Sequence, residues 1–275
     1  MLRFLGTLAL LALGACASRP VPNPTSSPVS DVVQLQTRDH RIVAHRHQAS
    51  AAQSDPILVV LLHGDIGASY HIGVAERIAA RNEQVVAAAL VRPGYSDGVG
   101  NASSGDAGMR TGDNYTADVV DSIASAIRQL QQQEGARRTL LIGHSGGAAI
   151  ATLAVARHHG LVDRVVALAC PCDVGPWLEH MRSKRPSIEW DRGKGLSPID
   201  FAADVDPAVP VLVVADPEDP VVPIAVPRRY ASALQERGVD ATLELVEDVG
   251  HDMLTTDAAQ ALIDEQLRQL AASSG

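Results

Sequence analysis

The stretch TLLIGHSGGAAIA, residues 139–151, decides the fold. Its apolar run at 139–142 predicts a short strand, and the small residues that begin at Gly146 predict a helix over 146–158. Ser145 would lie at the turn between them, within a Gly-x-Ser-x-Gly pattern. A serine at such a turn is held in a strained backbone conformation, and its hydroxyl is exposed beside the positive end of the helix. The stretch therefore predicts a nucleophilic serine.

Alternating strands and helices surround this turn. Residues 31–47 predict a hairpin, and residues 57–62 predict a strand that is buried on both faces. Further strands are predicted at 85–91, 161–169, 211–215 and 241–246, and helices at 70–81, 115–133, 224–237 and 254–270. This alternation is typical of an α/β fold with a mostly parallel sheet and helices on both faces. Residues 171–210 interrupt it, so we expect a small, irregular cap at about 171–208.

A second Gly-x-Ser-x-Gly pattern surrounds Ser96, at residues 94–98. It also follows a predicted strand, but residues 99–105 are rich in glycine and serine and predict no helix. Ser96 would therefore lack the helix N-terminus that favours an attacking oxygen at Ser145. We expect Ser96 to be a loop residue near the site rather than the nucleophile.

Several motifs resemble the α/β-hydrolase family, over roughly residues 31–275. They are Leu62-His63-Gly64, Arg92-Pro93-Gly94-Tyr95, the turn at Ser145, an acid after a late strand, and Gly250-His251. The family's chain order of serine, acid and histidine is reproduced. The resemblance implies an α/β-hydrolase fold and hydrolysis through a covalent acyl-enzyme.

The resemblance also implies a catalytic triad of Ser145, Asp219 and His251. In the family the aspartate precedes a Val-Pro turn, and Asp219 stands in that spacing. Asp216 and Glu218 are the other nearby acids, and all three could instead cap the following helix. His251 would take the Ser145 proton and return it to the leaving group, while the acid fixes the histidine tautomer.

An oxyanion hole built from backbone N–H groups is a further implication of the resemblance. One donor would be Gly146, which follows the nucleophile, and the other Asp65, which follows His63-Gly64. An aspartate departs from the family pattern here, because its carboxylate would oppose the charge that develops on the oxyanion. Either the Asp65 side chain points away, or the register differs by one residue and Ile66 donates.

Composition excludes several other classes of function. The chain has 275 residues, 23 Lys and Arg, 32 Asp and Glu, and a formal net charge of −9. Such an acidic chain does not suit nucleic-acid binding, because phosphate neutralisation needs a basic face. Three cysteines are too few for a four-thiolate zinc site, and we expect no metal and no cofactor. Cys170 and Cys172, one residue apart, could be free thiols or a strained bridge.

The N-terminus resembles a bacterial lipoprotein signal. Residues 1–15 combine an early arginine with an apolar run and precede Cys16, which would become the lipidated first residue. The apolar run is too short for an ordinary membrane span, which needs about 20 residues. Residues 16–30 are rich in Pro and Ser and predict an extended tether to one domain at 31–275. No Asp follows Cys16, which implies a lipid anchor in the outer membrane of the cell envelope, facing the periplasm.

These predictions combine into a serine hydrolase of the cell envelope. The expected reaction is cleavage of a small-molecule ester, as in carboxylic ester hydrolases, with an amide as the less favoured substrate. Residues 196–251 are also similar to the end of prolyl-oligopeptidase-type domains, so a serine peptidase is the first alternative. A non-catalytic envelope binding protein on a hydrolase fold is the second.

Overall fold

The computed structural model describes residues 29–49 and 54–272. The predicted signal peptide, the predicted lipidation site at Cys16 and the tether up to residue 28 lie outside the described residues. Within the described part of the chain, every helix is too short or too polar to cross a lipid bilayer.

One eight-stranded sheet forms the core of the described domain. In chain order its strands are β1 (Val29–Gln36), β2 (Arg41–Gln48), β3 (Ile57–Leu62), β4 (Val85–Val91), β5 (Arg138–His144), β6 (Arg164–Leu168), β7 (Val211–Ala215) and β8 (Ala241–Leu245). Their order across the sheet is β1-β2-β4-β3-β5-β6-β7-β8. The β1–β2 hairpin and the β2–β4 pair are antiparallel, and all other neighbours are parallel. The continuous apolar runs of β3 and β4 are buried along their whole length, as central parallel strands require.

Helices cover both faces of this sheet, as the alternation of elements predicts. In chain order they are α1 (Ser69–Arg81), α2 (Ala117–Glu134), α3 (Gly146–Arg157), α4 (Val174–Lys184), α5 (Ala225–Gln235) and α6 (Asp257–Ala272). The buried side chains of α1 and α6 share one apolar core, and those of α2, α3, α4 and α5 share the other. Because strands β3 to β8 are parallel, their carboxyl ends all lie at the same edge of the sheet. The loops that carry the predicted site residues meet at this edge.

The segment between β6 and β7 differs from the prediction. We expected residues 171–210 to be irregular, but they contain α4 and a 3₁₀ turn at Pro198–Asp204. The buried side chains of α4 recur at the spacing of one helix face: Val174, Trp177, Leu178 and Met181. The cap is therefore a packed element with a small apolar stripe of its own.

A disulfide and a hydrogen bond fix the start of the cap, and a further hydrogen bond ties the cap to the loop after β7. Cys170 and Cys172 are joined and fully buried, which decides between the two states that the sequence leaves open. The Cys172 carbonyl accepts the Ile199 N–H at 2.9 Å. Farther along, Trp177 Nε1–H donates to the Val221 carbonyl at 3.1 Å. The cap thus rests on the loop that follows β7.

Candidate active site

Ser145 lies at the turn from β5 into α3, with φ 54° and ψ −124°. A non-glycine residue rarely adopts this conformation, which costs on the order of 1–3 kcal/mol and persists only where the surroundings enforce it. Two hydrogen bonds enforce it here: Ser145 N–H donates to the Leu168 carbonyl at 2.8 Å, and the Ser145 carbonyl accepts Ala148 N–H at 2.9 Å. A side chain at Gly143 would collide with the backbone of Ala148, so glycine is needed where strand and helix approach each other.

Ser145, His251 and Asp219 form one hydrogen-bonded row. His251 Nε2 lies 2.9 Å from Ser145 Oγ, and His251 Nδ1 lies 2.9 Å from Asp219 Oδ2. Because a carboxylate can only accept, we assign the ring proton to Nδ1, which leaves Nε2 to accept the Ser145 hydroxyl proton. Asp219 is buried, whereas Ser145 and His251 are partly exposed. The structure therefore brings together the three side chains predicted for the triad.

The acid of this row is held by the backbone that follows it. Asp219 Oδ1 accepts the N–H groups of Val221 at 2.8 Å and Val222 at 3.1 Å. Its second oxygen is thereby left for His251. Glu218, an alternative acid in the sequence, is exposed. Of the acids in this loop, Asp219 is the one that faces the histidine.

Asp216 connects two loops of the site, a role that the sequence did not reveal. Its Oδ1 accepts the Glu218 N–H at 2.8 Å, and its Oδ2 accepts the N–H groups of Val249 at 2.9 Å and Gly250 at 2.6 Å. Burial alone would raise the pKa of Asp216, but these three donors outweigh burial and lower it. Asp216 thus ties the loop that carries Asp219 to the loop that carries His251.

The Asp65 side chain is turned into a buried pair. Its Oδ1 accepts Arg92 Nη1–H at 2.8 Å, and its Oδ2 accepts the Tyr115 hydroxyl at 2.7 Å. Burial disfavours the charged guanidinium of the fully buried Arg92, but the Asp65 carboxylate, together with Tyr95 and Tyr115, outweighs burial and raises the pKa of Arg92. A side chain at Gly146 would collide with this carboxylate, so the pair lies directly beside the residue after the nucleophile. The Asp65 charge is therefore paired rather than free to oppose an oxyanion.

The predicted oxyanion donors are available. Among the described residues, the N–H groups of Asp65, Ile66 and Gly146 donate to no protein acceptor. The N–H of Gly64, in contrast, donates to the Tyr70 hydroxyl at 2.6 Å. The structure thus leaves Asp65 and Ile66 both open as the second donor and excludes Gly64.

A second row of hydrogen bonds links three loops of the site. Tyr70 accepts Gly64 N–H, so its own proton is assigned to His144 Nδ1 at 2.7 Å, and His144 Nε2–H donates to the His251 carbonyl at 2.7 Å. Burial, helped by the neighbouring His251, lowers the pKa of His144 to about 4, so its ring is neutral at pH 7. His144, the variable residue before Ser145 in the motif, therefore links the loops of the site. No pattern in the sequence marks its partner Tyr70.

Ser96 does not take part in the row of Ser145, His251 and Asp219. It is exposed on the loop after β4, where its backbone forms an isolated bridge with Ala102. Its neighbour Asp97 is buried and bonds His45 Nε2 at 2.9 Å. In the part of the chain that the structure describes, no three His, Cys, Asp or Glu side chains converge in a way that could hold a metal ion.

Comparison with known proteins gives one match to a protein family. The family model described as serine aminopeptidase, S33, matches residues 53–190, which is half of the chain and includes Ser145. No curated protein sequence matches the chain.

Solved structures share the fold at low sequence identity. An esterase of Pyrococcus furiosus superposes with a TM-score of 0.72 at 14% identity, covering 89% of our chain and 92% of its own. The Est1E protein of Butyrivibrio proteoclasticus, solved with ferulic acid bound, gives 0.69 at 14% identity over 87% and 99%. The acylaminoacyl peptidase of Pyrococcus horikoshii also gives 0.69 at 14% identity, over 89% of our chain. Our chain spans only 42% of that peptidase, so this likeness concerns less than half of it.

Proposed function

The chain belongs to the serine aminopeptidase S33 family of α/β-hydrolases, and on that premise we propose that this hydrolase cleaves a carboxylic ester through an acyl-enzyme on Ser145. The predicted fold class is confirmed, and the family is a family of hydrolases. One observation carries the proposal: Ser145 Oγ, the His251 ring and Asp219 Oδ2 form a continuous row with both links at 2.9 Å. Both distances lie within the range over which a general base takes a proton.

The reaction would proceed in two steps on these groups. His251 Nε2 takes the hydroxyl proton as Ser145 Oγ attacks the ester carbonyl, and the imidazolium gives that proton to the leaving alcohol. An acyl-enzyme on Ser145 then remains. Water attacks it with His251 again as the base, which releases the acid and restores the serine. Asp219 stabilises the imidazolium in both steps.

The oxyanion of each step would be held by backbone N–H groups. We propose Gly146 as one donor and Asp65 as the other, with Ile66 as the neighbouring alternative to Asp65. The pairing of the Asp65 carboxylate with Arg92 supports this assignment, because it offsets a negative charge beside the site. A donor of this kind contributes roughly 3 kcal/mol to transition-state stabilisation.

A serine peptidase is the second candidate. The description of the matching family and the likeness to acylaminoacyl peptidase favour it. An amide can be cleaved by the same row of residues, since only the leaving group differs. A binding protein without catalysis is less well supported, because the hydrogen bonds of the row are complete.

Substrate comparison with the full chain distinguishes these candidates. We expect turnover of p-nitrophenyl butyrate and no turnover of N-acyl-alanine p-nitroanilide above the background of a Ser145→Ala variant. The physical reason is that p-nitrophenolate can leave without being protonated, whereas p-nitroaniline leaves only after His251 has protonated its nitrogen. Anilide turnover that the variant removes would favour the peptidase. Turnover of neither substrate would favour the binding protein.

We further propose that the protein is anchored by lipid on Cys16 in the outer membrane and faces the periplasm. The signal-like residues 1–15 and the Pro-rich tether support this location. In cells, we expect the wild-type chain in the membrane fraction and a Cys16→Ser variant in the soluble fraction, because a single thiol carries the acyl chains. Retention of both in the membrane would argue against the anchor.

A further inference from the structure

A cavity of about 360 Å³ is lined by residues that precede Ser145 and follow His251 in the chain, although neither of these two residues lines it. Its walls come from the segments next to each reacting group: Ile66 and Gly67 follow the proposed oxyanion donor, His144 precedes the nucleophile, and Asp252 follows the base. Its volume is at the low end of the range for small-molecule sites, roughly 300–1,000 Å³. The cavity is therefore placed to receive a short group of a molecule that reacts at Ser145.

The end of this cavity that Tyr70 and His144 form, its buried end, offers no free hydrogen-bond donor, because the Tyr70 proton and both His144 ring nitrogens are already engaged with each other and with the His251 carbonyl. The Ser69 hydroxyl also lines the cavity, but Ser69 is exposed to solvent. A carbonyl or carboxylate placed there would lose its bonds to water without replacement, which is costly. An apolar group loses nothing. The buried end therefore favours hydrocarbon.

The rim adds an apolar side chain and a negative charge. Ile66 is 80% exposed, which leaves a large apolar surface in water beside the site unless a ligand covers it. Asp252 is exposed at the same rim, and no cationic side chain lines the cavity. A ligand group that carries an anion would be repelled by Asp252.

From these three observations we propose that the cavity binds a short, uncharged hydrocarbon group of the ester substrate, either its acyl chain or its alcohol. This inference rests on the proposed ester hydrolysis and assigns the substrate class to that site. The hydrocarbon group covers the exposed side chain of Ile66. The terminal carbons of this group lie against the Tyr70 and His144 rings.

Filling the cavity from its rim tests the proposal. Thr255 lines it and is exposed, so Thr255→Trp reduces its volume without touching the catalytic row. Two series of esters are compared: p-nitrophenyl acetate, butyrate and octanoate vary the acyl chain, and methyl, butyl and octyl acetate vary the alcohol. We expect Thr255→Trp to lower kcat/KM at least about tenfold in one of the two series, for the ester whose varied group fills the cavity. In the same series, the acetate or methyl member changes less than about twofold.

The control is Thr242→Trp, which adds the same ring at an exposed threonine on the edge strand β8. It should leave both series unchanged. The rate of labelling by a small fluorophosphonate should be the same in all three proteins, which shows that Ser145 is intact. Equal labelling with both ester series unchanged in Thr255→Trp would overturn the proposal. Absence of ester turnover in the wild type would instead overturn the proposed function.

The negative charge of Asp252 allows a second, independent test of the proposal. Wild-type kcat/KM should be lower for the p-nitrophenyl monoester of succinic acid than for the butyrate ester, which has a similar size without the carboxylate. Asp252→Asn should narrow this gap by several-fold, since it removes the facing charge. A gap that Asp252→Asn does not change would contradict the assignment of an uncharged group.

Discussion

Ser145→Ala is expected to abolish labelling of the full chain by a fluorophosphonate and to lower kcat for ester hydrolysis by on the order of 10⁶-fold. The alanine removes Ser145 Oγ, which lies 2.9 Å from His251 Nε2. No other side chain can then form the acyl-enzyme, and the residual rate comes from substrate binding and backbone donors alone. Gel-based detection of the covalent adduct and initial-rate kinetics measure the two effects.

Ser96→Ala is the matched control, because Ser96 occupies the other Gly-x-Ser-x-Gly pattern. It is exposed on a loop, no helix begins directly after it, and it makes no hydrogen bond to a histidine in the described residues. Labelling and kcat should stay within about twofold of the wild type. Loss of labelling in Ser96→Ala with retention in Ser145→Ala would reverse the assignment of the nucleophile.

Local patterns in the sequence are sufficient to predict much of this fold. The strands at Ile57–Leu62 and Val85–Val91 were predicted at their observed bounds, because an apolar β-branched run between polar turns has few alternatives. The turn at Ser145 was predictable for a similar reason. It combines a strand, two glycines and a helix in consecutive residues, so one short window contains the whole signal.

Helix α4 was missed although its signal was present. Its apolar positions have helical spacing, but the polar residues between them and the irregular segment that follows dominate the composition of 171–210. Periodicity was therefore a better guide than composition there. The mean polarity of a segment says little when only one narrow face packs against the domain.

Contacts between distant parts of the chain were beyond reach. Tyr70 and His144 are 74 residues apart, and Asp65 and Tyr115 are 50 apart. Tyr70 and His144 meet because strands β3 and β5 lie side by side and end at the same edge of the sheet. Asp65 and Tyr115 meet where the loop after β3 faces the residues just before α2. A single sequence carries no record of such pairings. It therefore could not show whether the Asp65 carboxylate points towards the oxyanion or is paired with other side chains.

Asp219→Asn is expected to lower kcat for ester hydrolysis by on the order of 10⁴-fold while the protein remains folded. The reason is the arrangement of the two carboxylate oxygens. Oδ1 accepts the N–H groups of Val221 and Val222, so the carbonyl oxygen of an asparagine would keep that place and its NH₂ group would face His251. His251 Nδ1 would then have to accept, which moves the ring proton to Nε2. A ring protonated at Nε2 cannot take the proton of Ser145.

Glu218→Gln is the matched control for this change, since it neutralises the adjacent acid in the same loop. Glu218 is exposed, so its loss should leave kcat within about twofold and the melting temperature unchanged. Initial rates measured from pH 5 to pH 10 separate the two variants further. Hydroxide can replace His251 as the base that removes the Ser145 hydroxyl proton, so the Asp219→Asn rate should recover partly at high pH, whereas Glu218→Gln should follow the wild-type profile. A large loss in Glu218→Gln, with Asp219→Asn near wild type, would assign the acid to Glu218 and require the loop to rearrange around it.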